Sequence, residues 1–183
     1  MSLHADAVSV LGSWTPPDTE QDRLRRRYLD HLDGHSDALL RSCSPDHLTA
    51  SALVMSRDGG RVLLTLHRRL RRWLQTGGHC EPGDPTLAAA AVREAAEESG
   101  IDDLALDPAP VVLSRHEVPC GPVRPAHHLD VQYVAFAPDG ARARISEESA
   151  DLRWFPVDAL PADADASVRT LVHLAAARAG SAG

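Results

Sequence analysis

The chain contains no lysine; all 19 of its basic residues are arginine. That absence excludes Schiff-base chemistry on a lysine and a phosphate-binding lysine behind a glycine-rich loop. Beside the abundant alanine it reads as a GC-rich coding bias, and no mechanism is drawn from it. Cysteine is scarce too. Cys43, Cys80 and Cys120 form an odd, widely spaced set without the pairing of a zinc or redox motif, so reduced structural thiols are expected. Long apolar runs are missing: none approaches the roughly 18 residues that cross a bilayer. The opening Met1-Ser2-Leu3-His4 has neither the basic patch nor the apolar stretch of a signal peptide. A cytoplasmic location with no membrane partner is expected. Positive charge is in deficit, with 26 acidic residues and a net charge of −7. Such a surface repels nucleic acid polymers and anionic membranes, so a polyanionic ligand needs local help.

What is present suits one domain with an extension. The 183 residues are 43% hydrophobic and 25% charged, enough for a buried core. Residues 1–45 read as a helical N-terminal extension and 46–180 as the main domain. In the extension, Pro16-Pro17-Asp18 leads into a helix over 19–32, with Asp18 as cap and Gln21 completing a capping box. Leu24, Tyr28 and Leu32 make one apolar stripe, which predicts packing on the main domain, with a homodimer contact as its other use. A short helix over 37–41 behind Ser36 is also expected.

From His47 the texture turns to strands. Leu48–Met55 and Arg61–His67 flank the turn Arg57-Asp58-Gly59-Gly60 and predict an antiparallel pair. Gly77-Gly78 reads as a sharp turn. A helix over 85–99 follows, with Asp84 as cap, Pro85 in first position and Gly100 as C-terminal stop. Strands are expected over 111–118, 127–136 and 152–155, then a helix over 167–178. Strands, helix, strands, helix argue a mixed sheet flanked by helices, an α/β fold, rather than a doubly wound parallel one.

Chemistry concentrates in Arg93-Glu94-Ala95-Ala96-Glu97-Glu98-Ser99-Gly100. At helical spacing Glu94, Glu97 and Glu98 share an arc of about 100°. Like charges four apart cost about 0.2–0.5 kcal/mol, and the carboxyl end of a helix disfavours anions. Three hard oxygen ligands suit Mg²⁺ or Mn²⁺. A solvated acidic face on a good helix former is the other reading, and spacing alone leaves both open.

The neighbourhood extends the pattern. Gly77-Gly78-His79-Cys80-Glu81-Pro82-Gly83-Asp84, the helix, then Arg93-Glu94-Ala95-Ala96-Glu97-Glu98-Ser99-Gly100-Ile101 resembles the Nudix box. Its second half matches at every fixed position. In the first half the expected glutamate is displaced: counting back from Arg93 its place is Pro85, and Asp84 lies one residue further away. The resemblance runs over about 46–178, including Leu152-Arg153-Trp154-Phe155-Pro156. It implies a Nudix-type α/β/α sandwich around a mixed sheet and hydrolysis of a nucleoside diphosphate linked to another group. It further implies that Glu94, Glu97 and Glu98 hold Mg²⁺, or Mn²⁺, and that Arg93 fixes the carboxylates. Glu97 or Glu98 would serve as base, with Glu117, Glu147 and Glu148 as donors from outside the box. The alternative is a non-catalytic Nudix-like module that binds a nucleotide as a sensor.

Candidates for contact with a small nucleotide derivative follow from position. Arg68, Arg69, Arg71 and Arg72 precede Trp73 and would edge a pocket, or form a solvated hairpin. Trp73 would stack on a base or fill the core. Gly78 offers close backbone approach, with His79 beside it. His128, Asp130 and Gln132 alternate onto one strand face, which directs Asp130 toward a pocket. Glu148 is expected near the metal. Cys120 with His127, His128 and Asp130 is not read as a zinc site, because adjacent strand residues point to opposite faces.

Overall fold

The computed structural model describes residues 1–119, 122–146 and 149–181. Its helices are α1 (Leu3–Ser13), α2 (Thr19–Gly34), α3 (Leu87–Ser99) and α4 (Ala166–Ser181). The strands are β1 (His47–Met55), β2 (Arg61–His67), β3 (Trp73–Leu74), β4 (Thr76–His79), β5 (Ala105–Leu106), β6 (Val112–Val118), β7 (Ala126–Phe136) and β8 (Ser149–Pro156).

All eight strands join one mixed sheet. β1 is buried along its whole length and lies parallel to β7, from His47 opposite His128 to Met55 opposite Phe136. Its other edge is divided: Thr49–Ala52 pairs antiparallel with β4, and Val54–Met55 with β2. β8 extends the sheet beyond β2, while β6 and β5 flank β7. Alternation sorts β1 cleanly. Leu48, Ala50, Ala52 and Val54 pack with α1, α2 and α3, whereas Leu53 and Met55 pack with α4. The result is an α/β/α sandwich, as expected.

The extension shares that core. Asp18 caps α2 by accepting from the Gln21 N–H at 2.8 Å, as expected, but the box is not completed, because the Gln21 side chain is engaged with β6. Tyr28 and Leu32 are buried against this chain's own sheet and α3. The Gln21 side chain clasps Leu113 on β6, accepting from its N–H at 2.7 Å and donating to its carbonyl at 3.0 Å. α1 is an addition, since its apolar residues give little one-sided pattern. It inserts Ala7 and Leu11 into the core, and at its end the Trp14 indole N–H donates to the Pro110 carbonyl.

Four local expectations are corrected. Residues 37–41 form turns rather than a helix. The cap of α3 is Thr86, whose hydroxyl accepts from the Ala89 N–H; Asp84 is engaged elsewhere. Gly77-Gly78 is strand, not turn: a Cβ on Gly77, at φ +146°, would meet Ser51 and, at 2.9 Å, the Ala50 carbonyl of the paired strand. β5 also lies in sequence read as a connection. Gly100 ends α3 at φ +63°, as its type demands.

Candidate active site

Arg93 is the hub of the α3 face. Its Nε and one terminal nitrogen donate to the two carboxylate oxygens of Asp84, each at 3.0 Å, and the latter nitrogen also donates to the His79 carbonyl. The other terminal nitrogen reaches Glu94 at 3.1 Å and Glu97 at 3.3 Å. Asp84 additionally accepts the Glu81 N–H at 2.7 Å. Burial alone would raise the Asp84 pKa, but the Arg93 hydrogen bonds and that N–H hold it below the usual carboxylate range. Arg93 is held well above its ordinary value, by Asp84 first and Glu94 next, against its own burial. Asp84, one residue before the position that the box pattern assigns, meets Arg93 because the loop folds back over it.

The acidic residues are set against β4. Glu98 accepts the Gly77 N–H at 3.0 Å. Gly78 leaves room for Glu94, since a Cβ there would lie 2.7 Å from a Glu94 carboxylate oxygen. The Glu94 side chain is 17% exposed, whereas that of Glu97 is 62% exposed and faces solvent beside Arg93. A recessed carboxylate in a glycine cradle, with further carboxylates on the same helix, is a donor set of hard oxygens that fits a divalent cation such as Mg²⁺.

The other sequence candidates scatter. Arg68 is exposed and donates to the Ser149 carbonyl at the start of β8. Trp73 is buried edge-on against Phe155 and fills the core on the α4 side. Asp130 is buried within the sheet and accepts from Thr49 (2.9 Å), Ser51 (2.7 Å), Gln132 (2.9 Å) and Gln75 (3.3 Å). It therefore organises a polar row along β1 and β7 rather than an open wall. Glu117 is exposed on β6. Glu147, Glu148 and Cys120 lie outside the described residues. Burial pushes the Cys43 thiol up to about 11 and Cys80 to about 12, in keeping with inert structural thiols.

His79 belongs to a grouping that the sequence did not reveal. It points to the sheet face opposite α3, where His47 and His128 stand beside it. Burial, then His47 and Arg41, lowers the His79 pKa to about 4; burial, then His116, His47 and His79, lowers His128 to about 3. His127 turns the other way and meets Asp46 at 2.9 Å. The signal was a histidine heading each polar alternation, His47-x-Thr49-x-Ser51 and His128-x-Asp130-x-Gln132, but nothing local shows that β1 and β7 run side by side.

The NUDIX domain family matches residues 45–174. The chain belongs to that family. As a member with the whole Arg-Glu-x-x-Glu-Glu set, it is placed among the pyrophosphohydrolases. Among curated proteins, no sequence relative matches. Solved structures share the fold. A NUDIX-family hydrolase from Clostridium perfringens is 21% identical, with 72% of this chain and 97% of that one covered at a TM-score of 0.60. An Ap4A hydrolase from C. elegans, solved as a binary complex, is 18% identical, with 73% and 98% covered at 0.62. The E. coli dihydroneopterin triphosphate pyrophosphohydrolase is 21% identical, with 69% and 92% covered at 0.58. α1 and α2 precede the matched region.

Proposed function

We propose that this chain is a Mg²⁺-dependent hydrolase that cleaves the pyrophosphate bond of a nucleoside diphosphate derivative. The observation that carries this reading is the Arg93 hub, which ties Asp84, Glu94, Glu97 and the His79 carbonyl into one unit beside Gly78. A sensor module has no need to hold like charges together at the disfavoured end of a helix.

Glu94, Glu97 and Glu98 are the residues that would hold the cation, with Mn²⁺ as the alternative to Mg²⁺. When bound, a divalent ion supplies charge neutralisation to the pyrophosphate oxygens and acidity to a coordinated water. The chain's own residues do the positioning. Arg93 limits the repulsion between Glu94 and Glu97 and fixes their rotamers by charged hydrogen bonds. The Gly77 N–H orients Glu98, which with one oxygen so anchored is the residue we assign to accept the proton of the attacking water. Arg68, beside the start of β8, is proposed to meet substrate phosphate. Asp130, buried and hydrogen-bonded within the sheet, is proposed to act only as a positioning residue that fixes β1 and β7. The named activities of the similar structures, on a dinucleoside polyphosphate and on a pterin triphosphate, support a small anionic nucleotide-like substrate.

The test is product release from a panel of nucleoside triphosphates, dinucleoside polyphosphates, ADP-ribose-type compounds and nucleotide sugars with Mg²⁺. Monophosphate or phosphate release that stops with chelator and with Glu98→Gln supports hydrolysis. Tight nucleotide binding with no turnover on any member of the panel would favour the sensor reading.

A further inference from the structure

On the sheet face turned away from α3, three imidazoles from three strands converge. His47 opens β1, His128 is its register partner on β7, and His79 ends β4 opposite Thr49. One ring nitrogen from each lies within 4.8 Å of the other two. The ring centroids are 5.1 Å (His47 to His79), 4.9 Å (His47 to His128) and 4.9 Å (His79 to His128) apart.

Four of the six ring nitrogens are buried without a hydrogen-bond partner. His47 is 2% exposed, and neither of its ring nitrogens makes a hydrogen bond of good geometry, although the Cys43 backbone lies near enough to act on the ring. Nε2 of His79 and Nε2 of His128 are likewise buried without a partner. A buried polar atom left unpaired costs about 1–3 kcal/mol, so several in contact demand an explanation. The rings do not supply it to each other, since they meet stacked, tilted and edge-on with no N–H donating to a ring nitrogen. Asp130, two residues along β7, is already saturated by Thr49, Ser51, Gln75 and Gln132.

We propose that His47, His79 and His128 form a transition-metal site, and that the dication it takes is Zn²⁺. Imidazole nitrogen suits zinc, whereas Mg²⁺ selects oxygen, so this site and the box carboxylates sort different ions. Zinc bonded to nitrogen at about 2.0–2.1 Å in a tetrahedron sets neighbouring nitrogens about 3.3 Å apart. Side-chain torsions close that gap from within 4.8 Å while the sheet register holds the three backbones still. Three protein ligands leave a fourth position for water. His116 stands beyond the trio, its exposed ring 5.5 Å from that of His128. Arg41 acts on all three rings electrostatically but is exposed, so water screens its charge. The two sites are separated by the pleat of β4: Gly78 presents its bare face to Glu94, and His79 the next position to the trio. The proposal does not depend on hydrolysis.

The experiment uses the full chain without a histidine tag, stripped by chelator and titrated with Zn²⁺ alone in competition with a chromophoric chelator, then with Co²⁺. The expected result is one equivalent of Zn²⁺ per chain, visible absorption of tetrahedral Co²⁺, and retention of both in Glu98→Gln. His79→Asn and His128→Gln, at half-buried positions and checked for fold by circular dichroism without metal, should lose affinity by more than roughly 100-fold, beyond what loss of an outer partner brings. In the wild type, histidine-ring ¹⁵N spectra should show three imidazoles shifting on Zn²⁺ addition, a readout that needs no variant. No Zn²⁺ uptake at micromolar concentration overturns the proposal. So does uptake that survives in both folded histidine variants, uptake abolished by Glu98→Gln, or zinc shifts on other histidines.

Discussion

Adjacent glycines on one four-residue strand have opposite dependencies. Gly77 sits at φ +146° with its missing Cβ aimed at Ser51 and at the Ala50 backbone, which cannot yield. Gly77→Ala should cost on the order of 3 kcal/mol, read as a fall in Tm of roughly 6–12 °C. At Gly78 the neighbour is the far end of the Glu94 side chain, which can swing aside. Gly78→Ala should therefore keep its Tm within a few degrees and lose most Mg²⁺-dependent turnover. Glu98→Gln should likewise leave the melt unchanged and lower kcat by roughly two to four orders of magnitude. Equal rates in Glu98→Gln and wild type would remove Glu98 from the chemistry.

Two helix starts depend on carboxylates from outside the sequence pattern that predicted them. α3 begins not only with Thr86 but with Asp6 of α1, whose buried carboxylate accepts the Leu87 N–H at 2.8 Å. Asp6→Ala should cost about 1–2 kcal/mol in chemical denaturation. α4 begins behind Asp165, which accepts the Ser167 N–H and hydroxyl and pairs with Arg72 at 2.8 Å. Burial would raise the Asp165 pKa; Ser167 and Arg72 outweigh it and lower it. A carboxyl depressed by folding contributes stability above its unfolded pKa and loses it as pH falls through the folded value. The acid limb of a Tm profile below about pH 4 should thus flatten in Asp165→Asn. The sequence showed α2, the strands β1, β2, β6 and β7, and the end of α3, since each carries its own period or stop residue. It could not show Asp6 reaching Leu87, or His47 reaching His128, because both require a partner some eighty residues away. The box arginine and glutamates were legible as a motif, yet Asp84 looked misplaced until its loop was seen to return over Arg93.

At the scale of the molecule, the N-terminal helices are part of the fold that carries the box. Ala7, Leu11, Trp14, Tyr28 and Leu32 share one buried cluster with Leu87, Ala90, Ala91 and Ala95 of α3. Removing residues 1–34 should yield protein that binds a hydrophobic dye and melts without a cooperative transition. Leu11→Ala, a milder cut into the same cluster, should cost about 3 kcal/mol in urea unfolding. A deletion that melted like the full chain would show the extension to be dispensable. The Asp6 contact also bears on how the proposed substrate would approach. The amino end of a helix ordinarily welcomes anions through its free N–H groups. Here that pole is plugged from within by an acid of the same chain, so under the proposed function a phosphate tail would gain no foothold there and would be received at the opposite, acidic pole, on terms set by whatever cations that pole holds.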